Sequence, residues 1–229
     1  MRYCISTIVV LICFVVLFAG CAPRYYYSIG LDEVEISNKE FEIDNKLVIE
    51  KRYDTQKIIE IEEKGIEKYS FEDEIIKIVW KPEVTKFSFV LTNKTDKTIL
   101  IIWDKAMYID ENGEKQKVMG FFTKYYLRYN AQKHRVIRKK STIKETIHPV
   151  NKVFTKVVGG FGGGKAGGGG KGSYEDIPLF PIYSSSFKRL KVKPEDNIGK
   201  TVKFILPLKT GDITNKYIFT FAVKDIELK

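Results

Sequence analysis

From Phe71 onward, apolar and polar residues alternate with a period of two, and this pattern limits the fold more than any other feature of the chain. In the clearest run, Phe87, Phe89 and Leu91 share one face while polar residues and one valine fill the positions between and after them. Such alternation is typical of a half-buried strand, because successive side chains point to opposite faces. The pattern predicts a mostly β structure over 71–229.

Further stretches of this kind are separated by turn signals. We predict strands over 75–82, 115–119, 141–147, 202–208 and 217–223, and a central strand over 98–108, which is apolar on both faces. Asn93–Lys97, Asn112-Gly113 and Gly211-Asp212 have turn chemistry, and Asn-Gly is the strongest short hairpin signal. Short strands joined by such turns indicate an antiparallel sandwich or barrel.

The N-terminus has a different composition. Arg2 precedes fourteen almost wholly apolar residues, Ile5 to Phe18, a length typical of the apolar part of an export signal and shorter than a comfortable bilayer span. Phe18-Ala-Gly-Cys21 follows and resembles the lipobox of bacterial lipoproteins, although Phe18 stands where Leu is usual. The resemblance implies cleavage between Gly20 and Cys21 and diacylglyceryl modification of Cys21. The alternative is an uncleaved N-terminal anchor helix.

Cysteine content and charge narrow the classes of function. Cys4 and Cys13 would leave with a signal over 1–20, so the mature chain would have no disulfide and no free thiol. It would carry 38 basic and 29 acidic residues, a net charge of +9. This charge would attract anionic headgroups or envelope polymers, although interspersed Lys and Glu also occur as simple compositional bias. No nucleic-acid-binding module is recognisable.

Several stretches resemble a loose group of uncharacterised bacterial lipoproteins predicted to carry an immunoglobulin-like domain. They are 89–104, Tyr108-Ile-Asp-Glu-Asn-Gly113, Pro178-Leu-Phe-Pro181 and Ile205-Leu-Pro-Leu208. The resemblance implies an immunoglobulin-like sandwich on an extracytoplasmic membrane surface, and it implies no activity. One departure is Arg138-Lys-Lys140, where such proteins usually place Pro-Gly before the next strand. Ala22 is not the Asp that often signals inner-membrane retention, which favours the outer membrane where two membranes exist.

Two regions are not predicted to be regular parts of this domain. Residues 21–70 are interpreted as a tether, beginning with Ala22 to Ser28, and a segment of uncertain structure in which Lys57–Glu63 suits either a strand or a helix. Ten of the fourteen residues over 159–172 are Gly, so this segment is expected to form a mobile loop between strands. It matches a P-loop only up to Lys165, because Ala166 stands where Ser or Thr would hold a metal ion.

Candidate catalytic and metal-binding groups are sparse. Asp104 and Asp110 would lie about 20 Å apart on a continuous strand, too far for a glycosidase pair. His134 lies among cationic residues, and His148 has no ligand at a characteristic spacing. Ser184–Ser186 has no evident base partner, and the Asn93-Lys-Thr95 sequon is interpreted as chance. We therefore expect no catalytic residues, no metal and no cofactor.

One strip mixes aromatic and basic residues and is the candidate ligand site. Its members are Phe121, Tyr125, Tyr126, Arg128 and Tyr129, followed by Lys133-His-Arg135. Such residues can stack on sugars or approach a membrane interface. The simpler expectation is a strand edge with the aromatic rings inward and the cations outward.

These observations predict a lipid-anchored, non-enzymatic envelope protein whose β-sandwich is an interaction module for another envelope protein or an anionic polymer. The alternative is a lipoprotein that binds a small ligand or glycan through 121–135. A concave pocket lined by Phe121, Tyr125, Tyr126 and Tyr129 would favour the alternative, whereas a convex, solvated sandwich would favour the first function.

Overall fold

The protein is mostly antiparallel β. The structure, a computed structural model, describes residues 25–43, 46–53, 58–63, 66–120, 123–156, 173–180 and 194–228. Fifteen strands lie within these ranges: β1 Tyr25–Ile43, β2 Lys46–Tyr53, β3 Ile58–Glu63, β4 Ile66–Glu72, β5 Ile76–Pro82, β6 Phe87–Asn93, β7 Ile99–Ile101, β8 Met107–Ile109, β9 Lys115–Gly120, β10 Arg135–Ile137, β11 Thr142–Pro149, β12 Val153–Lys156, β13 Ser173–Asp176, β14 Thr201–Thr210 and β15 Ile213–Leu228. Short 3₁₀ turns lie at Trp103–Lys105, Tyr125–Leu127, Val150–Lys152 and Pro194–Asn197.

Thirteen of these strands form one sheet that nearly closes on itself. Its order is β2-β1-β15-β14-β8-β9-β11-β6-β5-β4-β3, and β7 joins β14 to the short strand β10. The sheet therefore has two halves, one around β14 and β15 and the other around β5 and β6, with β9 connecting them. Near the open seam, the Ser28 hydroxyl of β1 donates a hydrogen bond of 2.9 Å to Glu67 Oε2 of β4.

The two halves face each other across an aromatic core. Trp80 of β5 is fully buried and packs against Phe204 of β14 and Phe219 and Phe221 of β15, with ring centroids 4.9–5.5 Å apart. Phe71 of β4 meets Phe219 edge-to-face at 6.2 Å. Such edge-on contacts add to the free energy gained by burying the rings, which dominates the stability of the fold.

The alternating stretches form the predicted strands. The buried faces of β14 and β15 carry the expected residues, namely Val202, Phe204, Leu206, Leu208, Tyr217, Phe219, Phe221 and Val223. Thr210 pairs with Ile213 across Gly211-Asp212, and Gly211 has a φ of 61°, as the first central residue of a type II′ turn requires. Gly113, with a φ of 85°, lies in the predicted hairpin between β8 and β9.

The prediction of one central strand over 98–108 is wrong. The chain instead forms β7, the 3₁₀ turn Trp103–Lys105 and then β8, and both strands pair with β14. The interruption faces Pro207 of β14, whose carbonyl accepts a hydrogen bond of 3.1 Å from the Ile102 N–H. Proline has no N–H with which to continue the ladder, so the neighbouring strand leaves the sheet there.

The N-terminal region takes part in the sheet. The strand β1 begins at Tyr25, inside the expected tether, and pairs with β15 from Tyr25 opposite Leu228 to Ser37 opposite Lys216. The ambiguous stretch 57–63 contains the strand β3, and the expected boundary at 70/71 falls inside β4. Burial is the physical reason, because Tyr27, Ile29 and Leu31 join the core.

The two remaining strands flank the glycine-rich segment. The strands β12 and β13 pair antiparallel, with Val153 opposite Asp176 and Lys156 opposite Ser173. The segment 159–172 thus connects two paired strands, as expected. The glycine-rich residues themselves, and with them the expected mobility and the P-loop-like match, lie outside the described residues.

Candidate functional site

A concave cavity of about 630 Å³ opens where the chain crosses between the two halves of the sheet. This volume lies within the range of small-molecule sites, about 300–1,000 Å³. The described residues that line it are Trp103, Gly120, Thr123, Lys124, Tyr126, Leu127, Asn130, Ala131, Gln132, Lys133, His134, Arg135 and Glu145. Most of them belong to the segment between β9 and β10, which is the predicted aromatic and basic strip. We call this cavity the 120–135 pocket.

Gln132 closes the segment that forms the pocket rim. Its Oε1 accepts hydrogen bonds from the Gly120 N–H at 3.3 Å and the Thr123 hydroxyl at 3.0 Å, and its Nε2 donates to the Val118 carbonyl. Its own N–H donates to Asp104 Oδ1 at 2.7 Å. One side chain thus ties the end of the segment to its start, so the rim has a defined shape although it is irregular.

An ion pair lies at the junction of the two halves. Arg135 of β10 pairs through its Nε with Glu145 Oε1 of β11 at 3.0 Å. β10 pairs with β7 and β11 pairs with β6, so the two side chains come from opposite halves of the sheet. Burial raises the pKa of the Glu145 carboxyl, and the charge of Arg135 opposes that effect.

The charged side chains of the described pocket wall are mostly cationic. Lys124, Lys133 and Arg135 contribute positive charge, His134 is exposed, and Glu145 is the carboxylate among the described lining residues. Because Arg135 already pairs with Glu145, the remaining lysines have no counter-charge within this described lining. A wall of this sign attracts an anionic ligand.

Two aromatic side chains give the pocket a stacking surface. Trp103 is buried, with 6% exposure, and Tyr126 is 67% exposed on the 3₁₀ turn. Lys124 Nζ lies 5.9 Å from the centroid of the Tyr126 ring. An exposed ring beside cations can stack on a sugar ring while the cations bind its acidic groups.

For the described residues of this strip, the expectation of a strand edge with inward rings is wrong. The segment forms a 3₁₀ turn at Tyr125–Leu127, and Tyr126 and Tyr129 are mostly exposed. The reason is the backbone conformation, because residues in a 3₁₀ turn do not point alternately to two faces as they do in a strand. The side chains of Phe121 and Tyr125 lie outside the described residues.

Arg128 and Tyr129 do not belong to the described pocket lining. The Arg128 guanidinium lies 4.5 Å from the centroid of the Tyr129 ring, a cation–π contact. The Tyr129 hydroxyl donates to Asn151 Oδ1 at 3.2 Å, and the Tyr129 carbonyl accepts from Lys117 Nζ at 3.3 Å. These contacts direct the pair away from the pocket and towards β9 and the Val150–Lys152 turn.

Other candidates from the sequence have structural environments. Asp110 Oδ1 accepts hydrogen bonds of 2.9 Å from the N–H groups of Asn112 and Glu114, so it supports the hairpin turn. His148 lies in β11 opposite Met119. Within the described ranges, no group of three His, Cys, Asp or Glu residues could hold a metal ion. Gly20, Cys21 and Ser184–Ser186 lie outside the described residues.

Asn93 of the sequon is fully buried and has a structural role. Its Nδ2 donates to the carbonyls of Lys97, Ile137 and Arg138 at 2.7–3.3 Å. Its Oδ1 accepts from the N–H and the hydroxyl of Thr95 at 2.9 and 2.8 Å. Asn93 therefore connects the end of β6 to the end of β10, which carries Arg135.

Three lining residues lie outside the predicted strip over 121–135, namely Trp103, Gly120 and Glu145, and the role of Gln132 within the strip was not predicted. Trp103 and Glu145 lie in stretches that were predicted as strands, where their partners could not be identified. Gln132 had no distinguishing signal, because its role depends on backbone groups 12 and 14 residues earlier and on the Asp104 side chain 28 residues earlier. Only the pairing of β10 with β7 and of β11 with β6 brings these side chains together.

Among the residues that the structure describes, no helix is long and apolar enough to cross a membrane. No family model, no curated protein and no solved structure matches this chain.

Proposed function

We propose that this chain is a lipid-anchored, non-enzymatic protein of the cell envelope that binds an anionic glycan in the 120–135 pocket. The observation that carries the proposal is the pocket itself, which joins an exposed tyrosine to a cationic wall at the strip singled out in the sequence. The lipid anchor at Cys21 rests on the apolar segment before it and on the small residues Ala19 and Gly20. The address is extracytoplasmic, and the outer membrane is favoured where two membranes exist.

The charge of the pocket supports an acidic ligand over a neutral one. Uronate or phosphate groups of an envelope polymer would meet Lys124, Lys133 and the outward N–H groups of Arg135. The sugar ring would stack on the exposed ring of Tyr126. The interaction module and the glycan-binding site are therefore one surface in this proposal.

Binding without hydrolysis is supported by the acidic groups of the pocket. Glu145 is the carboxylate among the described lining residues, and Arg135 pairs with it. Glycosidases use two carboxyl groups about 5–10 Å apart, one as acid and one as base or nucleophile. A carboxylate that pairs with an arginine is better suited to orienting Arg135 than to acting as a general acid.

We further propose that the nearly closed sheet is of immunoglobulin-like type. Two facing halves, antiparallel pairing and a central tryptophan between them support this assignment. A crystal structure in which the strand order of either half differs from β2-β1-β15-β14-β8 or from β9-β11-β6-β5-β4-β3 would contradict this assignment.

Titration calorimetry with a uronic-acid trisaccharide tests the function, with a neutral trisaccharide of equal size as the reference ligand. We expect heat from the acidic sugar alone, and about a tenfold loss of affinity in Tyr126→Ala and in Arg135→Gln. Tyr129→Ala and Arg128→Gln are matched controls, since they remove an exposed ring and a cation outside the described pocket lining. Equal losses in the control variants, or equal affinity for the neutral sugar, would contradict an anionic-glycan site.

Intact mass of the membrane-extracted protein tests the anchor independently. We expect a chain that lacks residues 1–20 and carries acyl groups, and we expect the Cys21→Ser variant to lack them. An uncut chain with an unmodified Cys21 would contradict the lipoprotein assignment and recast Ile5–Phe18 as an anchor helix.

A further inference from the structure

The hairpin of β3 and β4 exposes an apolar face that the core does not use. Ile59 is 61% exposed, Ile61 36% and Ile66 40%. Ile59 lies opposite Ser70, Ile61 opposite Lys68 and Glu63 opposite Ile66, so the three isoleucines share one face of the hairpin. The strand β3 is also the last strand of the sheet path. We call this surface the isoleucine face.

The start of β1 runs beside this hairpin. The Ser28 hydroxyl bonds Glu67 Oε2 at 2.9 Å, and a Cβ added to Gly30 would lie 3.0 Å from the Tyr69 hydroxyl oxygen. Neighbouring strands are antiparallel at each of the eight steps of the sheet path from β1 to β4, so β1 and β4 run in the same direction. Following β1 back from Ser28 towards Tyr25 leads to the end of β4 that begins at Ile66.

The length of chain before β1 limits the distance between the Ile66 end of β4 and the lipid anchor. Cys21 precedes the first strand residue, Tyr25, by four residues, which span at most about 14 Å when fully extended. Three further residues, about 10 Å of strand, lead from Tyr25 to the Ser28–Glu67 contact. A lipid on Cys21 would therefore hold the hairpin of β3 and β4 at the surface of the bilayer.

We propose that the isoleucine face contacts the acyl–headgroup boundary of the bilayer and fixes the orientation of the domain on the membrane. The proposal rests on the lipid anchor of the proposed function and is independent of the glycan pocket. Exposed apolar residues are stabilised when they leave water for this boundary. Glu60 and Glu62 point to the other face of β3, whereas Glu63 and Lys68 lie on the same face as the isoleucines and pair with each other. The isoleucine face therefore has no net charge and suits a zwitterionic membrane.

Depth-dependent fluorescence quenching tests the contact in the full lipidated protein. The mature chain would have no cysteine other than the modified Cys21, so Ile61→Cys provides a single site for a bimane label. Ile213→Cys is the matched control, because Ile213 is 53% exposed and lies at the opposite end of β15 from Leu228, the partner of Tyr25. Both proteins are reconstituted in phosphatidylethanolamine–phosphatidylcholine vesicles with and without doxyl-labelled lipid.

We expect blue-shifted emission and at least twofold quenching by the doxyl lipid at position 61, and neither effect at position 213. Equal quenching at the two positions, or none at either in acylated protein, would overturn the membrane contact while leaving the anchor in place. A blue shift at position 61 that persists without vesicles would assign the face to a protein contact, such as a second copy, and would also overturn it. An unmodified Cys21 in the mass spectrum would overturn the anchor and this inference together.

Discussion

The aromatic core and the rim of the 120–135 pocket are both rich in aromatic residues, but the core rings are buried and the described rim rings are exposed. Phe71, Trp80 and Phe219 are fully buried on alternating strands. Tyr126 and Tyr129 are mostly exposed on an irregular segment. The difference shows that residue type does not decide the fate of an aromatic side chain. The local backbone conformation does, because alternate side chains share one face only where the segment is a strand of a sheet.

The largest expected effect is on stability, and it separates the core from the rim. Trp80→Ala should lower the free energy of unfolding by about 3–5 kcal/mol, since it removes a buried ring that contacts both halves of the sheet. Tyr126→Ala should change it by less than about 0.5 kcal/mol, because exposed side chains contribute little. Urea denaturation of both variants measures the contrast, and similar losses in the two would abolish it.

The next effect concerns the connection between the two regions. Asn93→Ala should cost about 3 kcal/mol, because it leaves buried carbonyls without donors. It should also weaken binding of an acidic sugar, since the released residues lead directly to Arg135 on β10. Asn112→Ala, an exposed asparagine in the β8–β9 turn, is the control and should change neither property. Full affinity in Asn93→Ala would show that the pocket does not depend on this connection.

A pH-dependent effect is expected at Glu145. Because burial raises the pKa of this carboxyl, the folded state binds its proton more tightly than the unfolded state does. Ionised Glu145 therefore lowers stability above its folded pKa, and this cost disappears below the unfolded pKa of about 4.3. Glu145→Gln should be more stable than the wild type at pH 7 and equally stable at pH 3.5.

Thermal unfolding at the two pH values measures this difference. The acidic groups Glu63 and Glu72 provide an internal contrast, since hydrogen bonds from Lys68 and Lys94 lower their pKa values and their contribution is lost as the solution becomes acid. Glu145→Gln should also bind an acidic sugar more tightly, because Arg135 is then released from its partner. A lower stability of Glu145→Gln at pH 7 would show that the ion pair outweighs the burial.

The smallest expected effect lies in the turn between β10 and β11. Lys140 has a φ of 52°, a left-handed conformation that costs a residue with a Cβ about 1–2 kcal/mol. Lys140→Gly should therefore raise the free energy of unfolding by about 0.5–1 kcal/mol, after the greater flexibility of glycine in the unfolded chain is counted. Lys139→Gly should lower it, because Lys139 has no such strain. Urea midpoints that move in the same direction in both variants would contradict this explanation.

This turn differs from the one that the resemblance to the lipoprotein group implied. The resemblance implied Pro-Gly before the β11 strand, and the chain has lysines there instead. The left-handed residue is retained at Lys140, where its Nζ donates to the Lys94 carbonyl at 2.7 Å and pairs with Asp96 at 3.6 Å. The departure from Pro-Gly put this turn in doubt, and neither the turn nor its left-handed lysine was predicted.

The sequence by itself determined the strands with clear alternation and the turns between them. Phe87, Phe89 and Leu91 lie on a buried face as predicted, and so do Val202, Phe204, Leu206 and Leu208. With a period of two, only one pairing register puts all the apolar side chains on the buried face of a half-buried sheet. The hairpins at Gly113 and Gly211 follow from residues that tolerate positive φ.

Only the tertiary structure decided which segments meet. The interruption of the 98–108 stretch depends on Pro207, about a hundred residues later, and the place of β1 in the sheet depends on β15 at the other end of the chain. The 120–135 pocket exists because β10 pairs with β7 while β11 pairs with β6, which brings Arg135 to Glu145. Local patterns record which face of a strand is buried. They carry no information on which distant strand will cover it, because that choice depends on the packing of the whole core.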